Sequence, residues 1–245
     1  MSQHFSAIGF DLENDAQLLD FARDCVGKSE AYKSERRDFP GAGFRWEAGR
    51  GIEVWTAVKA VSGTGGDEDY EIVSCLPAWR CEEILSLRAY RIERHRLDKS
   101  ELVMLARLAD GRELSFALAN LWQNPAMPAR GLECEVHLAG LGLEAECSRM
   151  EDAPRLIDER QADAPLKTLD SALIPLDRDN HYRVAGKIIE ADGTANIHSG
   201  RKLWKIKLEL AGLQLPLIFA RDLSQNRPEA GLRFDGLIWL CGLLP

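Results

Sequence analysis

Trp204-Lys205-Ile206-Lys207-Leu208-Glu209-Leu210 decides the fold. Side chains on a strand point to opposite faces in turn. This spacing therefore sets Trp204, Ile206, Leu208 and Leu210 on one face and Lys205, Lys207 and Glu209 on the other. Ala211-Gly212 then supplies a turn in which glycine takes positive φ without a steric penalty. Leu213, Leu215, Leu217 and Phe219 resume the alternation. Pro216 has no N–H to donate, which places its strand at a sheet edge or a bulge. Working outward, Tyr182, Val184 and Ile188 mark a preceding strand. A polar loop through Gln225-Asn226-Arg227-Pro228 leads to Gly231 and a last strand through Phe234, Ile238 and Leu240.

The same order occurs once more, earlier in the chain. Leu102, Met104, Ala106 and Leu108 alternate, Asp110-Gly111 gives a strong hairpin signal, and Leu114, Phe116 and Leu118 follow. Leu121-Trp122-Gln123-Asn124-Pro125 precedes Gly131-Leu132, as the later loop precedes Gly231-Leu232. Both copies then reach a Gly-Leu pair, Gly140-Leu141 and Gly242-Leu243, and Leu85 to Ile92 matches Tyr182 to Ile189. An internal repeat changes the expected fold more than any single motif does.

The chain of 245 residues is 45% hydrophobic and 29% charged, as in ordinary globular proteins. No apolar run reaches the ~20 residues that span a bilayer, so no membrane partner is expected. Met1-Ser2-Gln3-His4 lacks the basic and apolar regions of a secretion signal. The cytoplasm is the expected compartment. A net charge of −8 disfavours a phosphate-backbone binder. The six cysteines show no C-x-x-C pair and no zinc-ribbon spacing, so reduced thiols are expected.

In chain order, Phe5 to Phe10 reads as a short strand. Asn14 or Asp15 caps a helix over 16–26 that stops at Gly27. Gly43 to Glu47 and Gly51 to Ala60 read as paired strands, followed by the loop Ser62–Asp67 and a strand over 70–76. Ser148 to Asp179 carries Pro154, Pro165 and Pro175 among mixed charges and reads as a connector, with a short helix over 155–162. The expected fold is α+β and β-rich. It comprises a β-α-β-β-β module (1–79), a first antiparallel β module (80–147), the connector (148–179) and a second, related β module (180–245).

Ile8-Gly9-Phe10, the capped helix and Gly51-Ile52-Glu53-Val54-Trp55 together resemble a half-module of the vicinal-oxygen-chelate (glyoxalase-like) fold. The resemblance implies a divalent metal held by His and Glu from paired modules, with His4 and Glu53 at ligand positions and a dimer completing the set. The chain also resembles a set of uncharacterised bacterial proteins whose C-terminal half has the outline of a small barrel. The two β modules are similar to OB-like barrels, although Arg221–Gly231 leaves no room for the usual helix and extra strand.

Among motifs, Val26-Gly27-Lys28-Ser29 imitates the tail of a phosphate-binding loop. Ala22 stands where that loop needs glycine, and these residues would close a helix rather than open one. Arg88, Tyr90, Arg91, Arg94, His95 and Arg96 form a basic, aromatic strand that could meet single-stranded nucleic acid. Glu82, Glu83, Glu93 and Asp98 interleave with it, which favours a salt-bridged face. No catalytic constellation and no cofactor motif is legible. The last strand is apolar on both faces: Phe234, Ile238 and Leu240 on one, Leu237, Trp239, Cys241 and Leu243 on the other. Such a strand must be covered by another module or another chain. Leu237, Trp239 and Leu243 are thus candidate interface residues. The expected function is non-enzymatic binding or assembly, through a homodimer or a partner protein. A chelate-type metal enzyme is the alternative, and a nucleic-acid-binding barrel the third reading.

Overall fold

In a computed structural model, the residues described are 2–33, 41–62, 68–94, 101–123, 131–150, 156–157, 168–169, 171–176, 180–210 and 212–245. The chain opens with helices α1 (Ser2–Ser6) and α2 (Asp15–Lys28). Asn14 Oδ1 accepts the backbone N–H of Gln17 at 3.0 Å and starts α2, as its residue type predicts. The strand expected over Phe5–Phe10 is instead α1 and a turn, in which Gly9 N–H bonds to Ser6 C=O at 3.0 Å and Gly9 takes φ +91°. Phe5, Ala7 and Ile8 are all fully buried, and their burial does not follow the alternation that a strand imposes. The opening strand that the chelate-fold resemblance requires is therefore replaced by helix.

Four strands follow in an antiparallel sheet ordered β1-β2-β3-β4: β1 (Glu30–Lys33), β2 (Gly41–Gly49), β3 (Ile52–Ser62) and β4 (Glu68–Trp79). Next come β5 (Leu85–Arg94), β6 (Leu102–Arg107), β7 (Glu113–Leu118), a 3-10 turn at Leu121–Gln123, and β8 (Glu133–Ser148). β9 (Leu156–Ile157) and β10 (Thr168–Leu169) form a two-stranded pair, and β11 (Ala172–Pro175) lies on the edge of β12. The chain ends with β12 (His181–Ala195), β13 (Lys202–Leu210), β14 (Leu213–Ala220), a second 3-10 turn at Arg221–Leu223, and β15 (Arg233–Leu243). The fold is α+β and β-rich. The connector thus contains three short strands. Its expected helix over 155–162 meets β9 at Leu156–Ile157, with its remaining residues outside those described, as are Pro154, Pro165, residues 63–67, 124–130, His95, Arg96 and Asp98.

The repeat is visible in the backbone. β5 pairs with β8 through its first half and with β6 through its second; β12 pairs with β15 and then β13 in the same way. The register slips between Ala89 and Arg91 in the first copy and between Ile188 and Glu190 in the second. At each slip the freed backbone bonds a Gly-Leu pair. Gly131 N–H reaches Ala89 C=O at 2.7 Å, and Gly231 N–H reaches Ile188 C=O at 2.8 Å. Both glycines have positive φ.

The two copies are interlocked. β8 pairs antiparallel with β15 along eleven registered positions, β14 pairs parallel with β8, and β7 pairs parallel with β15. One circuit of pairings runs β5-β6-β7-β15-β8, the other β12-β13-β14-β8-β15, and both use the β8–β15 pair. Neither copy closes on itself, which departs from the self-contained OB-like barrels expected. Pro216 corrects a second expectation. It sits in β14, an interior strand, just before Leu217 and Ile218, the two residues that pair with β8. Its missing N–H therefore falls outside that short parallel pairing.

β8 and β15 are covered on both sides. Phe234, Ile238 and Leu240 enter one core with Met104, Phe116, Val184, Leu208 and Phe219. Trp239, Cys241 and Leu243 enter another with Phe5, Ile8, Ile52, Leu76 and Ala22 of the N-terminal unit. That unit is fastened by the tip of the β12–β13 hairpin. Asn196 Nδ2 donates to Ile8 C=O at 2.8 Å, and Arg201 pairs with both Asp11 and Asp222. Among the described residues no helix is long and apolar enough to cross a membrane.

Candidate binding cleft

Glu53 lies on β3 and is fully buried. Its Oε1 receives Arg45 Nη2 at 2.7 Å and Arg80 Nε at 3.0 Å, and its Oε2 receives Trp55 Nε1 at 2.8 Å. A buried carboxylate is tolerable only when paired and hydrogen-bonded, and here two guanidiniums and an indole supply both. With Oε1 held by two guanidiniums and Oε2 by the indole, both Glu53 oxygens are hydrogen-bonded within the chain, which does not fit the ligand position that the resemblance implied. His4 is elsewhere. Its ring stacks on Trp239 at 4.4 Å and 8°, and its Nε2 lies 3.1 Å from His181 Nε2. Among the described residues no group of three His, Cys, Asp or Glu could hold a metal ion.

The candidate interface strand is also accounted for within the chain. Trp239 is 0% and Leu243 1% exposed, because α1 and the four-stranded sheet cover that face. Leu237 alone is half-buried, at the edge of a shallow surface hollow with Leu143 and Glu144. The surface expected at Leu237, Trp239 and Leu243 is therefore largely an internal junction. On β5, Arg91 pairs with Glu93 at 2.6 Å, one of the ion pairs that its interleaved charges imply, while Glu83 pairs with Lys207 and Asp98 lies outside the described residues.

Arg80 leads to a concavity where the N-terminal sheet meets the second β copy. At its head, Arg80 N–H bonds to Gly51 C=O at 2.8 Å. Gly51 has φ +74°, and a Cβ there would stand 2.6 Å from Arg80 C=O. Only glycine permits both the backbone angle and the approach. The chain then runs through Cys81, Glu82 and Glu83 across the outer face of β12, β13 and β14. Between the two lies a cleft of about 520 Å³, within the size range of small-ligand sites, which favour such junctions.

Its charges come from the strand faces opposite the core. Lys205 lies across from Asp192 and Lys207 from Glu190 in the β12–β13 register. Lys207 Nζ spans the cleft, 2.6 Å from Glu83 Oε1 and 2.8 Å from Glu190 Oε1. The bonds to Glu190 and Glu83 hold its amine above the usual lysine range. Lys205 Nζ stands 5.8 Å over the Trp79 ring, a cation–π contact. Cys81 also lines the cleft, but it is 2% exposed, and burial, followed by the Glu83 charge, pushes its thiol up to about 12. A thiol of this kind carries almost no thiolate at neutral pH and is no nucleophile.

The alternation puts Lys205 and Lys207 on the charged face of their strand, whereas Glu83, which reads as a salt-bridge partner of the basic strand β5, pairs with Lys207 instead. Arg45 and Arg80 carried no signal, because nothing local says that both point at Glu53. No curated protein and no solved structure matches the chain. One family model does match, described as "Domain of unknown function, E. rectale Gene description (DUF3881)", over a little more than a third of the chain. The match covers residues 154–242, from the connector through nearly all of β15.

Proposed function

We propose that this is a non-enzymatic cytoplasmic binding protein that takes a small ligand in the cleft between its N-terminal sheet and β12–β14. The observation that carries this reading is the bridge from Lys207 to Glu83 and Glu190. It joins the two walls and leaves a preformed concavity beside Trp79. Preorganised walls lower the ordering cost that binding otherwise incurs. The inert Cys81 thiol supports binding over covalent catalysis at this site. Six free cysteines fit a reducing compartment. Assembly through the last strand loses support because Trp239 and Leu243 are already covered.

Native mass spectrometry of freshly purified protein tests the reading. Glu82 lines the cleft and is exposed, so Glu82→Trp narrows the cleft from its rim without entering the core. Extra mass on the wild-type chain that is absent from Glu82→Trp is the expected result. Bound mass retained unchanged in the variant, or a bare chain in both, would overturn it.

A further inference from the structure

The charges of the cleft fall into two sets. Arg80 is paired with Glu53, and Lys207 with Glu83 and Glu190. Arg50, Lys205, Glu82 and Asp192 also line the cleft, and none of them has an ion pair among the described residues. Two cations and two carboxylates without an ion pair among the described residues therefore surround one concavity, with Lys205 over the Trp79 ring and across from Asp192. Trp79 and Pro216 add apolar surface between them.

A ligand that enters displaces water from all four charges, and each displaced charge costs free energy unless the ligand replaces the lost interaction. A simple anion satisfies Arg50 and Lys205 but is repelled by Glu82 and Asp192. A simple cation meets the reverse problem. A neutral apolar molecule desolvates all four and compensates none. Only a molecule with charge of both signs and an apolar body matches the lining.

Resting on the proposed cleft function, we infer that the ligand is a small zwitterion carrying an ammonium group, a carboxylate and an apolar portion, of about dipeptide size. The carboxylate lies toward Arg50 and Lys205, the ammonium toward Asp192 and Glu82, and the apolar portion against Trp79 and Pro216. The size follows from the cleft volume of about 520 Å³.

The test uses full-length protein with 15N-labelled tryptophan indoles, the Trp79 signal being assigned by its loss in Trp79→Phe. The probes are leucyl-leucine, its N-acetyl form and its C-terminal amide. Leucyl-leucine is expected to move the Trp79 signal and not that of the core residue Trp122. Each blocked form is expected to bind at least about tenfold more weakly, as loss of a charge-assisted contact implies. The double variant Arg50→Gln with Lys205→Gln is expected to bind the dipeptide and its amide alike. Equal binding of a blocked form to wild type would overturn the zwitterion assignment while leaving a binding cleft. Failure of every probe to move Trp79 would overturn both.

Discussion

Arg80 donates through Nε to Glu53 Oε1 at 3.0 Å, so the residue that opens the cleft is anchored to a carboxylate wholly inside the N-terminal sheet. The same oxygen also accepts from Arg45. Glu53→Gln keeps the shape and removes the charge, leaving two guanidiniums facing each other. Breaking a buried ion pair from one side costs about 3–5 kcal/mol. Here Arg45 and Arg80 are each roughly a quarter exposed, so the lower end is expected. Urea unfolding monitored by tryptophan fluorescence reads this as a lower midpoint with an unchanged slope.

Asn196 makes three bonds at the hairpin tip: to Ile8 C=O, and from the N–H groups of His198 and Ser199. Asn196→Ala leaves the Ile8 carbonyl without this donor. The expected cost is about 1–3 kcal/mol, the penalty of an unsatisfied buried group. Hydrogen exchange would show faster exchange over residues 2–33 than over β5–β8. Uniform exchange in both regions would mean that the hairpin tip does not fasten the N-terminal unit.

Two glycines separate backbone strain from crowding. Gly131 has φ +84° and open space around its missing side chain, so Gly131→Ala is expected to cost about 1–2 kcal/mol. Gly236 lies on β15, where a Cβ would collide with the Glu144 carbonyl and stand 2.8 Å from the Phe234 ring. Gly236→Ala must shift the central β8–β15 pair and is expected to be the more damaging change. Thermal unfolding of both variants ranks them directly.

Buried thiols set an alkaline limit. Desolvation pushes Cys75 and Cys81 up to about 12 and raises Cys25, Cys134, Cys147 and Cys241 as well. In the unfolded chain these thiols ionise near their ordinary value of about 8.5. Above that pH the unfolded state binds fewer protons than the native state, so stability falls as pH rises. The loss begins near pH 9 and continues toward pH 12. Denaturant midpoints measured from pH 7 to pH 10.5 should decline above pH 9. Brief iodoacetamide treatment at pH 8 should leave Cys81 unmodified in native protein.

Much of the β architecture was legible in local patterning. Trp204, Ile206 and Leu208 alternate with Lys205, Lys207 and Glu209, and the structure puts the first set in the core and Lys205 and Lys207 at the cleft. The repeat was legible because Gly131-Leu132 and Gly231-Leu232 serve the same backbone role in both copies. Phe5–Phe10 misled because a short apolar run fits a helix buried all round as well as a strand. For the cleft, Lys205 and Lys207 were visible as charges on a strand face, but not as the wall of a concavity.

The sequence by itself determined the faces: which residues of each strand are apolar, where the hairpins turn, where α2 begins, and that the pattern occurs twice. Those features follow from side-chain period and glycine chemistry, which act over a few residues. Only the tertiary structure decided the partners. It set β8 against both β15 and β14, covered Trp239 with α1 and the N-terminal sheet, and turned Arg45 and Arg80 onto Glu53. An apolar face states that it must be buried but not by what. A lone carboxylate likewise does not state which distant cations will neutralise it.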